Sequence, residues 1–212
     1  MFTGIVQGAA TLKVIHDHGT LKTFVLEFPK GFCDGLMVGA SVSVDGVCLT
    51  VTKILSDISA SFDVMLQTLN ITTLGAFQVG QRVNVERAAK DGAEIGGHPL
   101  SGHVDFFATI SDVRVIDENK VLRFAVPQAF MRYIFPKGYI AVNGTSLTIA
   151  EVGRNECWFD VWLIPETRRV TTFEEKGTGD KVNIEIERST QIMVDTIRDT
   201  VAEMLPGLLP RV

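Results

Sequence analysis

The amino-acid sequence predicts an all-β chain: two β-barrels in tandem, followed by one helix. Three observations predict it. The chain repeats itself once at a nearly constant offset. Each repeat is patterned as short strands joined by tight turns. A helical period emerges only after the second repeat has ended.

The repeat comes first, because it sets the domain count. SVSVDGVCLTVTKI (41–54) matches YIAVNGTSLTIAEV (139–152), with Gly46 on Gly144, Leu49 on Leu147 and Thr50 on Thr148, each 98 residues apart. SFDVMLQT (61–68) matches WFDVWLIP (158–165) at an offset of 97, and VNVER (83–87) matches VNIEI (182–186) at 99. FTGIVQGAAT (2–11) falls on LSGHVDFFAT (100–109) at 98. Chance similarity does not keep register through so many segments, so the chain reads as a duplicated domain. The glycine-rich stretch GAEIGGHPLSG (92–102) marks the junction. The expected units are residues 1–97, residues 98–187 and a unique tail, 188–212.

Within each repeat the elements are strands. Candidates in the first lie near 3–15, 21–28, 60–66 and 82–87, with a hairpin between the second and third of these. Ser41 to Val44 alternates polar and apolar, and Asp45-Gly46 is a type I′ turn signal. Val47, Leu49 and Val51 then face one way, Cys48, Thr50 and Thr52 the other. The second repeat does the same around Asn143-Gly144. Six short strands in under 100 residues suggest a closed antiparallel barrel, because closure removes exposed edges. In the tail, Thr190, Val194, Ile197, Val201 and Met204 step by 4, 3, 4 and 3, while Asp195, Arg198, Asp199 and Glu203 fall elsewhere. So narrow a stripe predicts a coiled-coil seam between copies, the alternative being a helix docked on its own barrel. Ser189 is the expected cap and Pro206 the expected stop.

Composition excludes several classes. The 212 residues are 46% hydrophobic and 21% charged, with 20 Lys+Arg against 25 Asp+Glu, a net charge of −5. That is a globular composition without the basic excess a nucleic-acid partner needs. MFTGIVQGAATL carries no basic segment ahead of its apolar residues, and no run of about 20 apolar residues exists to span a membrane. Cys33, Cys48 and Cys157 are odd in number and lack C-x-x-C spacing, which predicts neither a disulfide framework nor a zinc site and suits the cytoplasm. No phosphate loop, nucleophile elbow or H-E-x-x-H motif is present.

The chemistry-bearing candidates follow from period-two geometry. Each repeat presents two small polar groups after its hairpin: Cys48 and Thr50 in the first, Ser146 and Thr148 in the second. His98 and His103 flank the junction. His103 aligns with Ile5, a titratable group at a position that is apolar in the other repeat, although a structural histidine reads equally well. His16 and His18 lie in a turn and read as solvated. Lys137 precedes the strand that leads into the Asn143-Gly144 turn.

Taken together, MFTGIV, GVCLTV, SFDVMLQT, VNVERA, IGGHPLSGHV, NGTSLT, LIPET and VNIEIE resemble riboflavin synthase of the single-chain alpha type, along the whole chain and in the same order. The resemblance implies two six-stranded Greek-key barrels and a C-terminal trimerisation helix. It implies dismutation of two molecules of 6,7-dimethyl-8-ribityllumazine by four-carbon transfer, with no metal or redox cofactor. It implies a homotrimer, with lumazine synthase as a candidate partner. One substrate would lie on the N-terminal barrel of one subunit, the other on the C-terminal barrel of a neighbour.

Residue by residue, the resemblance implies an N-terminal shell of Gly4, Ile5, Val6, Ser41, Cys48, Leu49, Thr50, Asp63, Val64, Met65, Leu66, Gln67 and Thr68. The C-terminal shell would hold Gly102, His103, Val104, Lys137, Ser146, Leu147, Thr148, Leu163, Ile164, Pro165, Glu166, Thr167 and Arg168. Removing a proton from the lumazine C7 methyl needs a base, or hydroxyls that stabilise the resulting anion; His103, Ser146 and Thr148 are the candidates. Cys48 could open the other substrate to addition, and Lys137 could stabilise developing negative charge. Glu187 stands where the family usually has an Asp that the resemblance places among the catalytic groups, which makes Glu187 a further catalytic candidate with one extra methylene; Thr145 stands where Ile is more usual, and Pro99 where an apolar residue is common. Non-catalytic relatives that hold lumazine or flavin as a fluorescent antenna are the alternative. Retention of GTSLT, LIPET, Lys137 and SGH favours the enzyme.

Overall fold

A computed structural model describes residues 1–204. The first barrel contains β1 (Gly8–Asp17), β2 (Leu21–Glu27), β3 (Ser41–Val44), β4 (Val47–Ser56), β5 (Ser59–Met65) and β6 (Arg82–Arg87). They close in the order β1-β2-β5-β4-β3-β6. The second contains β7 (Phe106–Ile116), β8 (Asn119–Ala125), β9 (Tyr139–Val142), β10 (Thr145–Gly153), β11 (Trp158–Leu163) and β12 (Lys181–Ile186), closed in the equivalent order β7-β8-β11-β10-β9-β12. Every pairing is antiparallel. Each barrel has its own core, built from inward-facing alternate residues such as Phe24, Leu26, Phe62 and Val83, or Leu122, Phe124, Val161 and Val182.

The alternation expected after each hairpin holds. Val47, Leu49, Val51, Leu147 and Ile149 are buried, while Cys48 and Ser146 are half-buried and Thr50 and Thr148 exposed. Both turns are type I′: φ is +43° and +83° at Asp45 and Gly46, and +43° and +75° at Asn143 and Gly144.

Three expectations are corrected. The first strand begins at Gly8, not near residue 3; residues 2–7 form an extended strap outside the sheet. Second, the offset between β5 and β11 is 99, not 97. Val51 pairs with Phe62, and its counterpart Ile149 pairs with Val161. A two-residue slip preserves which side chains face inward, so the pattern alone did not reveal it. Third, Leu66, expected to end the strand near 60–66, instead opens a short helix, α1 (Leu66–Ile71); the second repeat has its equivalent in α2 (Pro165–Val170), and each is followed by a 3-10 turn. Pro165 at the first helical position fixes the start of α2.

The barrels meet at their two hairpins. A Cβ on Gly46 would lie 2.7 Å from the Gly144 nitrogen, so glycine is required at this crossing. Around it the Asn84 side-chain amide donates to the Asn143 carbonyl (3.1 Å), and that of Asn183 donates to the Asp45 carbonyl (2.9 Å). The amides of Thr172 and Thr73 donate to the side-chain oxygens of Asn84 (2.8 Å) and Asn183 (2.7 Å).

One member breaks the symmetry. Asp45 is 1% exposed and accepts the Asn84 amide at 2.7 Å, as Asn143 accepts that of Asn183 at the same distance. Burial pushes the Asp45 carboxyl up to about 7, against the opposing pull of the Asn84 hydrogen bond. A raised pKa means that the unfolded chain loses this proton first. Stability should therefore fall as pH rises from about 4 to about 7 and then level off. Asp45→Asn should stabilise the fold at pH 8, by at most about 4 kcal/mol, and leave it nearly unchanged at pH 4. Urea unfolding at the two pH values checks this; an equal effect at both would contradict it.

The tail forms α3 (Arg188–Met204). Its cap is Glu187 rather than Ser189. The Glu187 carboxylate accepts the amides of Ser189 (3.0 Å) and Thr190 (2.7 Å) and the Thr190 hydroxyl (2.7 Å). The predicted seam is split between two faces. Thr190, Val194 and Val201 are half-buried, with Val194 against the second barrel's core, whereas Ile197 and Met204 are exposed beside Ile192 and Met193. The Tyr133 hydroxyl donates to Asp195 at 2.6 Å and fixes the docked face. Pro206, the expected stop, lies outside the described residues. Among the described residues no helix is long and apolar enough to cross a membrane.

Candidate active site

The straps ahead of the two barrels decide where the sites are. Phe2 and Leu100 exchange backbone hydrogen bonds of 2.8 and 3.0 Å, so the straps run antiparallel past each other. Each then lies on the opposite barrel. The Ser146 amide donates to the Gly4 carbonyl at 2.9 Å, and the Cys48 amide donates to the Gly102 carbonyl at 2.8 Å. Positive φ at Gly4 and Gly102 makes the turn, and a Cβ on either would lie 2.5 Å from Ser146 Cβ or 2.7 Å from Cys48 Cβ.

This corrects the expected grouping. Gly102, His103 and Val104 do not belong with Ser146. They close a cleft of about 280 Å³ on the first barrel, lined also by Cys48, Gln67, Thr68 and Ile71. Gly4 belongs with Ser146 on the second barrel, and Ile5 and Val6 follow it along the same strap. Ser41 lies cross-strand from Thr50, on the same outer face as Cys48.

The second barrel's site is built differently. His98, 3% exposed, places Nδ1 2.6 Å from the Ser146 hydroxyl, and its ring stacks on Tyr139 with centroids 5.1 Å apart. Its Nε2 is buried with no hydrogen-bond partner among the described residues. Burial pulls the His98 pKa below the ordinary histidine value, partly opposed by the Glu187 carboxylate. The imidazole is therefore neutral at pH 7, a state in which Nδ1 can take the serine proton. Glu187 itself is no proton carrier near neutrality. Burial pushes its carboxyl up, but hydrogen bonds from Thr190 and Ser189 outweigh that and hold it down to about 2. It acts on this site as a fixed negative charge.

The remaining candidates divide. Thr148 lies cross-strand from Tyr139 on the outer face of β10. Lys137, at φ +67°, occupies the left-handed conformation that the first repeat gives to Gly39; its amide donates to the Ile149 carbonyl at 2.8 Å and its side chain is exposed on the rim. Holding a lysine there costs backbone strain, of the sort found at functional positions. Leu49, Val64, Leu147 and Leu163 face the cores, so only their backbones can meet a ligand. Met65, Leu66, Ile164 and Pro165 are exposed at the strand-to-helix turns. Asp63 is exposed and accepts the Thr23 hydroxyl at 2.7 Å. Glu166 pairs with Arg169 at 2.6 Å in the open, a contact weak enough to exchange for a ligand hydroxyl. Thr167 accepts the Thr171 hydroxyl through its carbonyl at 2.6 Å, as Thr68 accepts that of Thr72. Arg168 is not brought to Ser146: its guanidinium is engaged with Glu174 (2.8 and 2.9 Å) and the Glu118 carbonyl.

Comparisons with known proteins agree with the duplicated two-barrel fold. The lumazine binding domain family matches residues 3–88 and again 101–187. The chain is 47% identical to the riboflavin synthase of Escherichia coli over 203 residues, covering 95% of this chain and 94% of that protein. It is 41% identical to the riboflavin synthase of Chlamydia pneumoniae over 202 residues, covering 95% and 98%. Among solved structures, LumP complexed with riboflavin superposes with a TM-score of 0.82 at 27% identity, over 88% of this chain and all of that one. LumP complexed with 6,7-dimethyl-8-(1'-D-ribityl) lumazine gives 0.79 over 88% and 99%.

Proposed function

Since the chain belongs to the riboflavin synthase family, with two lumazine binding domains, we propose that its two unlike sites divide one reaction between them. The reaction is the dismutation of two molecules of 6,7-dimethyl-8-ribityllumazine to riboflavin and a ribitylaminopyrimidinedione by four-carbon transfer. The observation that carries the division is the hydrogen-bonded pair of buried His98 and half-buried Ser146, present on the second barrel only among the described residues. In this reading the lumazine on the second barrel loses its C7 methyl proton to Ser146, which passes its own proton to His98 Nδ1. The lumazine on the first barrel, in the cleft beside Cys48 and His103, is opened to addition, with Cys48 or an activated water as nucleophile. Thr148 and the rim lysine Lys137 face the reacting rings and stabilise negative charge. Holding two ring systems face to face supplies much of the rate.

In this reading the two lumazines meet between two copies of the chain. The proposed assembly is a homotrimer joined through α3, with lumazine synthase as a candidate partner and the cytoplasm as location. Incubating the purified protein with the lumazine alone tests the reading. One riboflavin should appear for every two lumazines consumed; bound but unchanged lumazine would favour an antenna protein instead.

The exchange of straps bears on the isolated first repeat. Residues 1–97 lack Gly102–Val104, so their cleft is open on one side. A second copy can supply its own Gly4–Val6 strap in their place. Riboflavin binding by this fragment, read as fluorescence quenching, is therefore expected to coincide with dimers in sedimentation. Tight binding by a monomer would contradict the completed-cleft argument.

A further inference from the structure

Each site is closed by a strap from the other half, and each strap is held from behind by one buried carboxylate. Glu86 on β6, 3% exposed, accepts the Thr3 amide (2.6 Å), the Thr3 hydroxyl (2.7 Å) and the Gly4 amide (3.1 Å). Glu185 on β12, also 3% exposed, accepts the Ser101 amide (2.8 Å), the Ser101 hydroxyl (2.6 Å) and the Gly102 amide (3.0 Å). The duplication has kept this arrangement atom for atom.

Three donors per carboxylate occupy both oxygens, so the strap is fixed in position and in rotation. The next bond along the strap is the one to the opposite barrel, from the Ser146 amide to Gly4 or from the Cys48 amide to Gly102. Two hydrogen-bonded steps therefore connect a glutamate in one barrel to the backbone amide of the reactive residue on the other. Resting on the assignment of sites above, we propose that Glu86 and Glu185 are positioning residues that act across the molecule. Glu185, in the second barrel, sets the Cys48–His103 cleft on the first. Glu86, in the first barrel, sets the Ser146–His98 site on the second. The Arg188 guanidinium adds a brace to the second strap, donating to the His103 carbonyl and to Asp105.

Glutamine substitutions in the full-length protein test this, because an amide offers one accepting oxygen and turns an N–H toward a donor. Cys48 is the reporter for the first barrel. In Glu185→Gln, alkylation of Cys48 by iodoacetamide, followed by peptide mass mapping, should accelerate about tenfold or more as the strap opens. In Glu86→Gln the Cys48 rate should stay within about twofold of the parent, while the His98 ring protons shift in NMR. Turnover should fall about 10²-fold in both, as expected when reacting groups are misplaced by about 1 Å. Unchanged Cys48 reactivity in a folded Glu185→Gln protein would overturn the proposal, as would equal acceleration in both variants, which signals general loosening. Acceleration confined to Glu185→Gln with turnover intact would uphold the clamp and instead refute the assignment of the cleft to catalysis. If Glu185→Gln does not fold, Ser101→Ala removes a single one of the three bonds and should raise the Cys48 rate in the same direction; no rise overturns the proposal.

Discussion

Replacing His98 with alanine lowers kcat about 10²–10⁴-fold while the affinity for riboflavin stays within about threefold. The expectation follows from where the ring sits. It is buried, stacked on Tyr139 and within hydrogen-bond reach of Ser146, so it acts on the serine proton rather than on ligand affinity. Ser146→Ala should match it, and the double variant should be little worse than either single one, because the two residues act as a unit. The pH profile provides a second check. A base must be deprotonated to work, and burial holds the His98 pKa below the ordinary histidine value. In the parent protein kcat should rise through a pKa below about 6.5 and stay flat above it. His98→Ala should lose that limb. A variant that retained both turnover and the limb would remove His98 from the chemistry.

Deleting residues 189–212 abolishes turnover without unfolding the barrels. Ile192, Met193, Ile197 and Met204 project from α3 at 66%, 62%, 58% and 74% exposure. Burying such side chains stabilises an assembly by roughly 1.5–3 kcal/mol each. A helix of this length is marginal alone in water, but α3 is not alone: Val194 and the Tyr133–Asp195 bond dock it on the second barrel. The docked face positions the helix, and the free face presents Met193, Ile197 and Met204 to another copy. Light scattering should show a smaller species that still quenches riboflavin fluorescence yet makes none. A truncated protein of unchanged size would show that contacts between barrels suffice for assembly. A truncated monomer that still made riboflavin would contradict a site shared between subunits.

Much of this was readable in the sequence, for specific reasons. Asp45-Gly46 and Asn143-Gly144 announce type I′ turns because positive φ at both positions suits these residues. The alternation after each turn assigned Cys48, Thr50, Ser146 and Thr148 outward because a strand has a period of two. The exchange of straps was not readable. An alignment of repeats pairs Gly4 with Gly102 but does not say on which barrel either comes to rest. The sequence does not mark His98 as a catalytic group, because it lies in the linker, where no repeat position flags it. Only its burial against Ser146 distinguishes it from His16 or His18. Glu187, the catalytic candidate at the family's Asp position, caps α3 through Ser189 and Thr190. A carboxylate one residue ahead of a helix is the sequence signal for that cap, and it competes with Ser189 two positions on. The stripe from Thr190 to Met204 looked like one seam because a 3.5-residue period cannot separate a docked face from an adjacent free one over two heptads.

The claim that two unlike half-sites from different copies make one active site is tested most directly by subunit mixing. Ser146→Ala damages the second barrel's site and His103→Ala the first barrel's, so each homogeneous protein should be nearly inactive. Unfolding the two together and refolding them joins intact first barrels to intact second barrels across some subunit boundaries. The mixed protein is expected to convert the lumazine to riboflavin well above the sum of the two parents. Activity no greater than that sum, in a mixture shown by mass spectrometry to contain hybrid assemblies, would contradict the shared site.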